Sequence, residues 1–580
     1  MTETNYQAHT FAYRPCAEQQ APPPGAAPHP VHPVAVIGAG PVGLAAAIDL
    51  AQQGVPVVLL DDDCALSAGS RAICFAQRTL DIFDRLGCGA RMVDKGVSWS
   101  VGKIFFDEEL VYSFDLLPEA GHARPAFINL QQYYVEGYLV ERAAELPNLA
   151  IRWRHRVAGL AQDDDAVTLD VETPDGRYAL RARYVVAADG ARSPVRQAMG
   201  LESKGRTFRD RFLIADVKMT APFPSERWFW FDPPFNRNQS VLLHRQPDQV
   251  WRIDFQLGWD ADPDLEKQPE RVIARVRALL GEDAGFTLEW VSVYTFSCQR
   301  MERFRHGRVL FAGDAAHRVS PFGARGANSG VQDAENLAWK LALVLAGSAP
   351  DALLDSYAGE REFAADENIR HSTRATDFIT PKTPVSRVFR DAALSLARHH
   401  AFARRLVNSG RLSVPAVLHD SVLNTPDGAA PFAGAMVPGA PCADAPVREG
   451  GRDTWLLPRL GNRFALMLFV GPAGLPPAAL PALRALADGP VPLALVCVAA
   501  PEGEGAPEVP GASLLEDTHG WLARRYDGRP GTVYLLRPDQ HVCARWRAFE
   551  PARVQAALQR ALGWREGAGA DISATAGAAA

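Results

Sequence analysis

Two glycine-containing turns, far apart in the chain, carry the clearest chemical signal. The first is Gly38-Ala39-Gly40-Pro41-Val42-Gly43, which follows an apolar run at residues 34–37. A strand that leads through such a turn into a helix binds a dinucleotide pyrophosphate, because free N–H groups at the helix N-terminus face the phosphates. The second is Gly313-Asp314, after an apolar run at residues 309–312. A carboxylate held rigidly at a strand end can accept hydrogen bonds from hydroxyls of the same ligand.

The three glycines of the first turn have separate tasks. Gly38 allows the tight bend, Gly40 lets the pyrophosphate approach the backbone, and Gly43 lets the helix pack closely on the strand. Turns of this kind serve NAD and FAD alike, so this motif alone leaves the dinucleotide open.

An acidic residue is expected about 20 residues after the first turn, where it accepts the ribose hydroxyls. Asp61 occupies that place, directly after the apolar run at residues 55–60. Asp62 and Asp63 follow it, so the pattern leaves the register open by a residue or two.

The second turn is followed by Pro321, Gly326 and Asn328 before a new helical pattern begins. With the first turn, this arrangement resembles the FAD-dependent aromatic hydroxylases. These class A flavoprotein monooxygenases include phenol hydroxylase, para-hydroxybenzoate hydroxylase and 3-(3-hydroxyphenyl)propionate hydroxylase. The sequence has one dinucleotide turn, which argues against disulfide reductases and two-domain Baeyer–Villiger enzymes, whose NAD(P)H has its own domain.

The resemblance implies FAD as the cofactor and suggests residues that contact it. Arg71, in Ser70-Arg71-Ala72, is similar to the arginine that approaches the flavin and its phosphates. Gln132 matches the glutamine near the ribityl and phosphate region, with Gln131 as the competing candidate. Asp189 and Gly190 match an Asp-Gly motif that touches FAD.

The resemblance also gives the second turn a role at the flavin. Asp314 would accept hydrogen bonds from the ribityl hydroxyls, and the backbone from Gly323 to Asn328, including Gly326, would line the flavin pyrimidine edge. Many relatives have glycine at the position of Ala324, although para-hydroxybenzoate hydroxylase resembles this chain there. His317 is expected to be a scaffold residue and not a catalytic base.

The activity that the resemblance implies is hydroxylation of a phenol by a flavin C4a-hydroperoxide, with NADH or NADPH and O2 as co-substrates. Pro321 is expected to face the substrate ring. A loose register against para-hydroxybenzoate hydroxylase places Trp230, His244 and Asp254 on the pocket side of a substrate sheet. His244 is the first candidate for hydrogen bonding to the substrate, because an imidazole can accept a phenolic proton. In phenol hydroxylase a carboxylate follows the arginine-bearing strand, whereas here Ile73 stands there, so the base is left unidentified.

Two other functions share part of this pattern. A flavin-dependent halogenase bears Trp-x-Trp-x-Ile-Pro, which Trp228-Phe229-Trp230-Phe231-Asp232-Pro233 approaches without the isoleucine, and neither Lys95 nor Lys103 is a convincing halogenase lysine. A non-catalytic FAD-binding sensor that uses its C-terminal module for partners is the other alternative. O2 uptake with a phenol distinguishes the three.

The predicted fold class is α/β. A Rossmann-like FAD-binding domain carries an inserted antiparallel-sheet substrate domain, and the β-α-β…β-β-α order near the C-terminus resembles the thioredoxin-like domain of phenol hydroxylases. The predicted divisions are a disordered tail at 1–33, the monooxygenase domain at 34–423 with insertions near 96–117 and 200–295, a linker at 424–447, the thioredoxin-like domain at 448–565 and a disordered tail at 566–580.

Composition excludes few functions, but it bears on the kind of ligand, on membrane spans and on the cellular compartment. The net charge of −6 gives no reason to expect nucleic acid, and no apolar run is long enough to suggest a membrane span. Eight cysteines without a Cys-x-x-Cys pair predict free thiols in a cytoplasmic protein, with no metal site. The pattern also admits a homodimer.

Overall fold

A computed structural model describes residues 9–20, 29–69, 71–221, 223–407, 412–472, 474–500 and 511–564. The chain forms two compact units. The first unit comprises Met1–Pro118, Arg124–Ala334 and Ala365–Val414, and the second comprises Glu119–Ala123, Glu335–Ala364 and Pro415–Ala580.

The strands of the described residues are numbered in chain order. They are β1 (His32–Ile37), β2 (Val57–Asp61), β3 (Cys74–Ala76), β4 (Val97–Trp99), β5 (Val101–Phe106), β6 (Glu109–Asp115), β7 (Phe127–Asn129), β8 (Leu149–Trp153), β9 (Arg156–Gln162), β10 (Val167–Thr173), β11 (Gly176–Ala187), β12 (Ser203–Lys218), β13 (Arg227–Phe231), β14 (Ser240–Arg245), β15 (Val250–Leu257), β16 (Thr287–Met301), β17 (Arg305–His306), β18 (Val309–Phe311), β19 (His317–Arg318), β20 (Pro446–Glu449), β21 (Arg452–Trp455), β22 (Ala465–Val470), β23 (Ala494–Ala499), β24 (Ala512–Glu516), β25 (Val533–Leu536) and β26 (Val542–Trp546).

The α-helices are numbered in the same way. They are α1 (Pro41–Gln52), α2 (Gln77–Leu86), α3 (Gly89–Lys95), α4 (Gln132–Ala144), α5 (Pro194–Ala198), α6 (Pro263–Glu266), α7 (Pro269–Leu280), α8 (Gly326–Leu345), α9 (Leu353–Ile379), α10 (Pro384–Ala397), α11 (Ala401–Val407), α12 (Leu456–Leu460), α13 (Leu480–Ala487), α14 (Trp521–Tyr526) and α15 (Pro551–Ala561). The boundary between the two units falls within α8 and within α9.

The first sheet of the first unit holds both glycine turns at one edge. Its main path is β17-β18-β11-β1-β2-β8, and β1 pairs in parallel with β2 and β11, while β11 pairs in parallel with β18. The first four residues of β2, all of β18 and the last four residues of β1 and of β11 are apolar runs, as parallel strands buried on both faces must be. Because the carboxyl ends of parallel strands share an edge, the turns after β1 and β18 and the Asp-Gly motif after β11 come together.

The second sheet of the first unit has the order β19-β16-β12-β15-β14-β13-β5-β6. Its pairings are antiparallel except for β13 with β5. Alternate residues divide into two packed faces. One face packs a core that includes Phe229, Phe231 and Leu242. The other packs Trp230, Leu243 and residues of α7.

The sheet of the second unit has the order β21-β20-β24-β23-β22-β25-β26. β22, β23 and β24 pair in parallel, and β25 and β26 form an antiparallel hairpin around Pro538-Asp539-Gln540. The overall class is therefore mixed α/β with several sheets.

The N-terminal residues differ from the prediction of a disordered tail at 1–33, as far as they are described. Phe11 stacks on Trp153 with ring centroids 4.4 Å apart, and Glu18 pairs with Arg152 at 2.9 Å. These contacts fix residues 9–20 on the first unit. Residues 1–8 and 21–28 lie outside the described residues, as do 565–580, where the second disordered tail was predicted.

The predicted division at residues 424–447 also differs from the structure. The second unit comprises residues 335–364 and 415–580 besides residues 119–123, so its C-terminal stretch begins before the predicted linker. The physical cause is a cluster of buried charges that joins these two stretches. Glu360 accepts from Arg537 at 2.6 Å and from Lys340 at 2.7 Å.

Candidate active site

The first glycine turn has the geometry that its three glycines predict. Gly38 has a φ of +101°, and a Cβ there would lie 2.5 Å from the Ala188 carbonyl oxygen. A Cβ on Gly43 would lie 1.9 Å from the Gly38 oxygen, whereas one on Gly40 would meet nothing within 4 Å. Protein packing therefore requires the first and third glycines, and the second faces open space at the start of α1.

Asp61 is the acid that contacts this turn. Its carboxylate accepts the N–H of Ala39 through Oδ2 and the N–H of Asp63, at 2.8 Å, through Oδ1. Burial at the end of β2 raises the pKa of Asp61 to about 6. Asp62 and Asp63 are exposed. Among the three aspartates, the geometry favours Asp61 for the ribose role.

The Asp-Gly motif lies on the same edge, after β11. Asp189 accepts the Val195 N–H at 3.0 Å through Oδ2, while its buried Oδ1 accepts no hydrogen bond among the described residues. Burial raises the pKa of Asp189. Gly190 has a φ of +80°, and a Cβ on it would meet nothing within 4 Å. The motif thus presents an open backbone and an unpaired carboxylate oxygen.

The second turn is held by a buried hydrogen-bond network. Asp333 Oδ2 accepts the N–H of Gly313 at 2.9 Å and lies 2.7 Å from His317 Nε2. Gly313 adopts a φ of +60°. His317 is buried, and its Nε2 is hydrogen-bonded to Asp333, which matches a scaffold role better than a catalytic one.

Asp314 projects from that turn with an exposed side chain. The surrounding protein still displaces much of its water, and this desolvation raises the pKa of the Asp314 carboxyl, although Arg318 and Arg71 oppose the rise. The carboxylate is therefore accessible to a ligand and lies near two cations.

Arg71 and Gln132 lie in neighbouring segments of this edge. Arg71 is exposed, and Gln132 accepts the Ala72 N–H at 3.1 Å and donates to Glu136 at 2.8 Å. Gln132 therefore holds the segment that carries Arg71. Gln131 instead donates to the Pro247 carbonyl oxygen at 3.3 Å, which is near the second sheet.

The segment before α8 is fixed by Asn328. The Asn328 amide oxygen accepts the Ala76 N–H at 2.8 Å, and its nitrogen donates to the carbonyl oxygens of Cys74 and Ala324 at 2.9 and 2.6 Å. Ala324 has the left-handed conformation with a φ of +51°. Asn328 thus positions the backbone, with its side-chain groups spent on protein partners, while Gly326 opens the helix.

A cavity of about 420 Å³ adjoins this segment within the first unit. Phe322 and Gly323, directly after Pro321, form part of its wall. Aromatic and aliphatic side chains from the second sheet, α9, α11 and residue 412 form most of the rest; they are Ile104, Phe114, Phe229, Phe231, Phe378, Ile379, Leu406, Val407 and Leu412.

The predicted pocket-side placement of Trp230 is wrong. Strand alternation places Arg227, Phe229 and Phe231 towards the cavity, so Trp230 faces the opposite core, where it stacks on Phe105 at 5.1 Å. The loose register was off by one residue, which moves a side chain to the other face.

His244 and Asp254 lie on the cavity face of the sheet. Leu242 lies opposite Phe229, which lines the cavity, and also opposite Asp254, so these residues share one face of the sheet. His244 follows Leu242 by two residues in β14 and therefore points to the same face. Burial, with Arg227 and Arg252 nearby, lowers the pKa of His244 well below its ordinary value. Burial raises the pKa of Asp254 to about 7 and leaves its Oδ1 without a hydrogen bond among the described residues. Neither side chain is among those that line the cavity.

The family model for the FAD binding domain matches residues 32–372. The chain belongs to this family. Its cofactor is FAD, and the edge described above fits the group: Gly40 and Gly190 leave open backbone, Asp189 has an unpaired oxygen, and Asp314 is accessible.

Comparisons with individual proteins agree with this FAD-binding family. The chain is 35% identical over 352 residues to a probable NADH-specific resorcinol 4-hydroxylase of Rhodococcus jostii, a match that covers 59% of this chain and 64% of that protein, a little under two thirds. It is 32% identical to a para-nitrophenol 4-monooxygenase of a Pseudomonas species, over 57% of this chain and 82% of that one. The crystal structure of the flavin-dependent monooxygenase PieE with FAD and substrate superposes with a TM-score of 0.78 at 24% identity, covering 93% of this chain and 100% of PieE, and shows the same fold.

The sequence pattern did not identify Arg227 as a residue that lines the cavity. The alternation of Arg227 with Phe229 and Phe231 was the available signal, because a charge in a strand that is otherwise apolar needs a reason.

Among the described residues, no helix is long and apolar enough to cross a membrane.

Proposed function

We propose that this protein is an FAD-dependent monooxygenase that uses NADH and O2 to hydroxylate a phenolic ring. The observation that carries the proposal is the aromatic-walled cavity, which shares Phe322 and Gly323 with the segment assigned to the flavin edge. Its volume is in the range of small-molecule sites. The relatives named as a resorcinol hydroxylase and a nitrophenol monooxygenase support the substrate class, and the first supports NADH over NADPH.

In this proposal bound FAD would supply the redox chemistry that activates O2 with electrons from NADH. The N-terminus of α1 at Gly40 would bind the pyrophosphate, Asp61 would bind the ribose and Asp314 would bind the ribityl chain. Arg71 lies close enough to Asp314 to add positive charge beside the phosphates or the flavin. Pro321 places the following backbone beside the substrate ring.

The cavity wall has two tasks in the reaction. Its phenyl rings exclude water from the reacting atoms, which limits loss of the activated oxygen as hydrogen peroxide. A buried group must also accept the phenolic proton, because the ionised ring is the better nucleophile. Asp254 lies on the cavity face of the sheet without lining the cavity, and its pKa of about 7 suits a group that takes up a proton near neutral pH. His244 would remain neutral and would hold a hydrogen bond.

The proposed activity is tested by purifying the protein and assaying oxidation of NADH and NADPH with O2 uptake. Resorcinol, 4-nitrophenol and other hydroxylated aromatics are compared, and products are identified by mass spectrometry. A substrate should accelerate NADH oxidation and gain one oxygen ortho or para to its hydroxyl. A protein that binds FAD but shows no stimulation by any phenol would contradict the proposal. Chlorinated products in chloride buffer would instead support a halogenase.

His244→Ala tests the residue that the sequence pattern placed first. FAD content should stay at the parent level, while the KM for the phenol rises or NADH oxidation becomes uncoupled into hydrogen peroxide release. An unchanged KM and unchanged coupling would assign His244 to the sheet core. Thr220→Ala is the control, for which no change is expected, because Thr220 is exposed two residues beyond the end of β12.

We also propose that the second unit has a thioredoxin-like fold without redox function. Three features support this: the β22-α13-β23 crossover with parallel pairing, the β25-β26 hairpin and the closing helix α15. Its cysteines are Cys442, Cys497 and Cys543, which are buried free thiols and include no Cys-x-x-Cys pair. A role through its surface follows.

The cellular setting and assembly are also part of the proposal. Eight free cysteines favour a reducing cytoplasm. A homodimer is supported by apolar side chains that α10 exposes, namely Val385, Val388 and Phe389. Light scattering of the purified protein measures the assembly.

A further inference from the structure

The charged side chains that line the cavity all carry positive charge or can acquire it. They are Arg227, Arg325, His371, Arg374 and Arg405. No aspartate or glutamate lies among the described residues of the lining. An apolar cavity needs few polar groups, so those it has determine which substituent of a ligand it accepts.

Arg227 is the one of these five residues that belongs to the second sheet. It is the first residue of β13 and is 7% exposed. Its Nη2 donates to the Phe322 carbonyl oxygen at 3.2 Å, but its buried Nη1 has no hydrogen-bond partner among the described residues. Burial lowers the pKa of Arg227, and its neighbours Cys74 and Asp254 offset this effect only in part.

Nearby carboxylates do not neutralise Arg227. Asp216 forms two hydrogen bonds of 2.8 Å with Arg252, and Glu226, the preceding residue, pairs with Lys103 at 2.7 Å. Asp254 is a neighbour that attracts Arg227 electrostatically, but these two described residues form no ion pair within 4.0 Å. A buried cation that lacks a partner is costly to retain, and a bound anion removes that cost.

We propose that the cavity takes a hydroxylated aromatic substrate that carries a carboxylate, and that Arg227 binds this carboxylate. The inference rests on the proposed function, since it names the substrate class of the same site. Through Phe322, Arg227 joins the sheet to the segment beside Pro321. A carboxylate on Nη1 would therefore fix the orientation of the ring relative to that segment, and the exposed Arg374 and Arg405 would attract the anion to the cavity.

The test compares matched pairs of ligands that differ only in charge. The pairs are 3-hydroxybenzoate with 3-hydroxybenzamide, and 3-(3-hydroxyphenyl)propionate with its amide. Dissociation constants for the FAD-loaded protein are measured by isothermal titration, and NADH oxidation is followed in parallel. In at least one pair the carboxylate should bind about 10- to 100-fold more tightly than the amide, as for a charge-assisted hydrogen bond.

Arg227→Met should abolish this preference while FAD content and amide binding stay at the parent level. Methionine keeps an unbranched side chain and removes a buried charge, so the variant should fold. Arg227→Lys should keep part of the preference, because it retains the charge but loses the planar donor pair. Arg237→Met is the matched control: Arg237 is exposed and pairs with Asp107 outside the cavity lining.

The two proposals can fail separately. If no pair shows a carboxylate preference, or if Arg227→Met retains it, the inference about Arg227 is wrong even when phenols are hydroxylated. If the carboxylates bind through Arg227 and yet no ligand accelerates NADH oxidation, the inference stands and the proposed monooxygenase activity is wrong.

Discussion

Asp254→Asn should make the protein more stable at pH 8 than at pH 5, relative to the parent. Asp254 lies on the cavity face of β15, and burial raises its pKa to about 7, with Arg252 and Arg227 offsetting only part of the effect. In the unfolded chain the pKa of an aspartate is about 3.9. Between these values the folded protein holds the proton that the unfolded chain releases, so stability falls as pH rises from about 4 to 7 and then levels off.

The size of the effect follows from that difference. A shift of about 3 pKa units at about 1.4 kcal/mol per unit corresponds to at most about 4 kcal/mol of stability lost above pH 7. Asparagine resembles the protonated acid in shape and never ionises. The variant should therefore gain up to that amount at pH 8 and differ little from the parent near pH 4.

Thermal unfolding, followed by circular dichroism and by the release of FAD fluorescence, measures this at pH 5, 6.5 and 8. Asp260→Asn is the control, because Asp260 is exposed a few residues beyond β15. Parallel Tm-against-pH curves for the parent and Asp254→Asn would refute the reasoning. The same variant should lower the rate of phenol hydroxylation if Asp254 accepts the phenolic proton.

Three further variants test other parts of the structure. Asp314→Ala should weaken FAD binding about 10- to 150-fold, the loss of about 1.5–3 kcal/mol for a charged hydrogen bond, and an unchanged Kd in FAD titration of the apoprotein would remove Asp314 from the site. Ala324→Gly should raise stability by up to about 1 kcal/mol, because glycine adopts the left-handed conformation at φ +51° without strain, and a lower Tm would contradict this. Glu360→Gln should destabilise the second unit by about 3–5 kcal/mol, because Lys340 and Arg537 then share Asp539 as their remaining buried carboxylate in this cluster; denaturant unfolding followed by tryptophan fluorescence would show no shift if the cluster were unimportant.

The glycine turns could be predicted from the sequence because their requirements are local. Gly38 must have a positive φ and Gly43 must tolerate a carbonyl oxygen within contact distance, and both constraints act within one turn. The ordered N-terminal residues could not be predicted in this way. Composition indicated disorder at residues 9–20, whereas Phe11 and Glu18 find Trp153 and Arg152 more than 130 residues away.

The faces of β13 show a second limit of sequence reasoning. Alternation determines which residues share a face, but not which face meets the cavity. Arg227-Trp228-Phe229-Trp230-Phe231 is aromatic in both sets, because both faces of this strand are packed. The sequence pattern therefore could not show whether Trp230 or Phe229 faces the cavity. The arginine was the better guide, since a charge tolerated in so apolar a strand indicates a side that meets polar groups or a ligand.

The extent of the second unit explains why a boundary read from composition fails. Proline- and glycine-rich residues after Asn424 look like a linker, yet Glu360 in α9 is held by Arg537 and Lys340 within a single buried cluster. Burial raises the pKa of Glu360, but the charges of Arg537 and Lys340 outweigh it and leave this pKa far below its ordinary value. A chain that ends after Asn424 would lack Arg537. Lys340 on α8 and Glu360 on α9 would then be exposed. Because α8 begins at Gly326 in the flavin-edge segment, such a truncation would alter the helix that follows the FAD site, and loss of FAD from it would not by itself reveal a residue that contacts the cofactor.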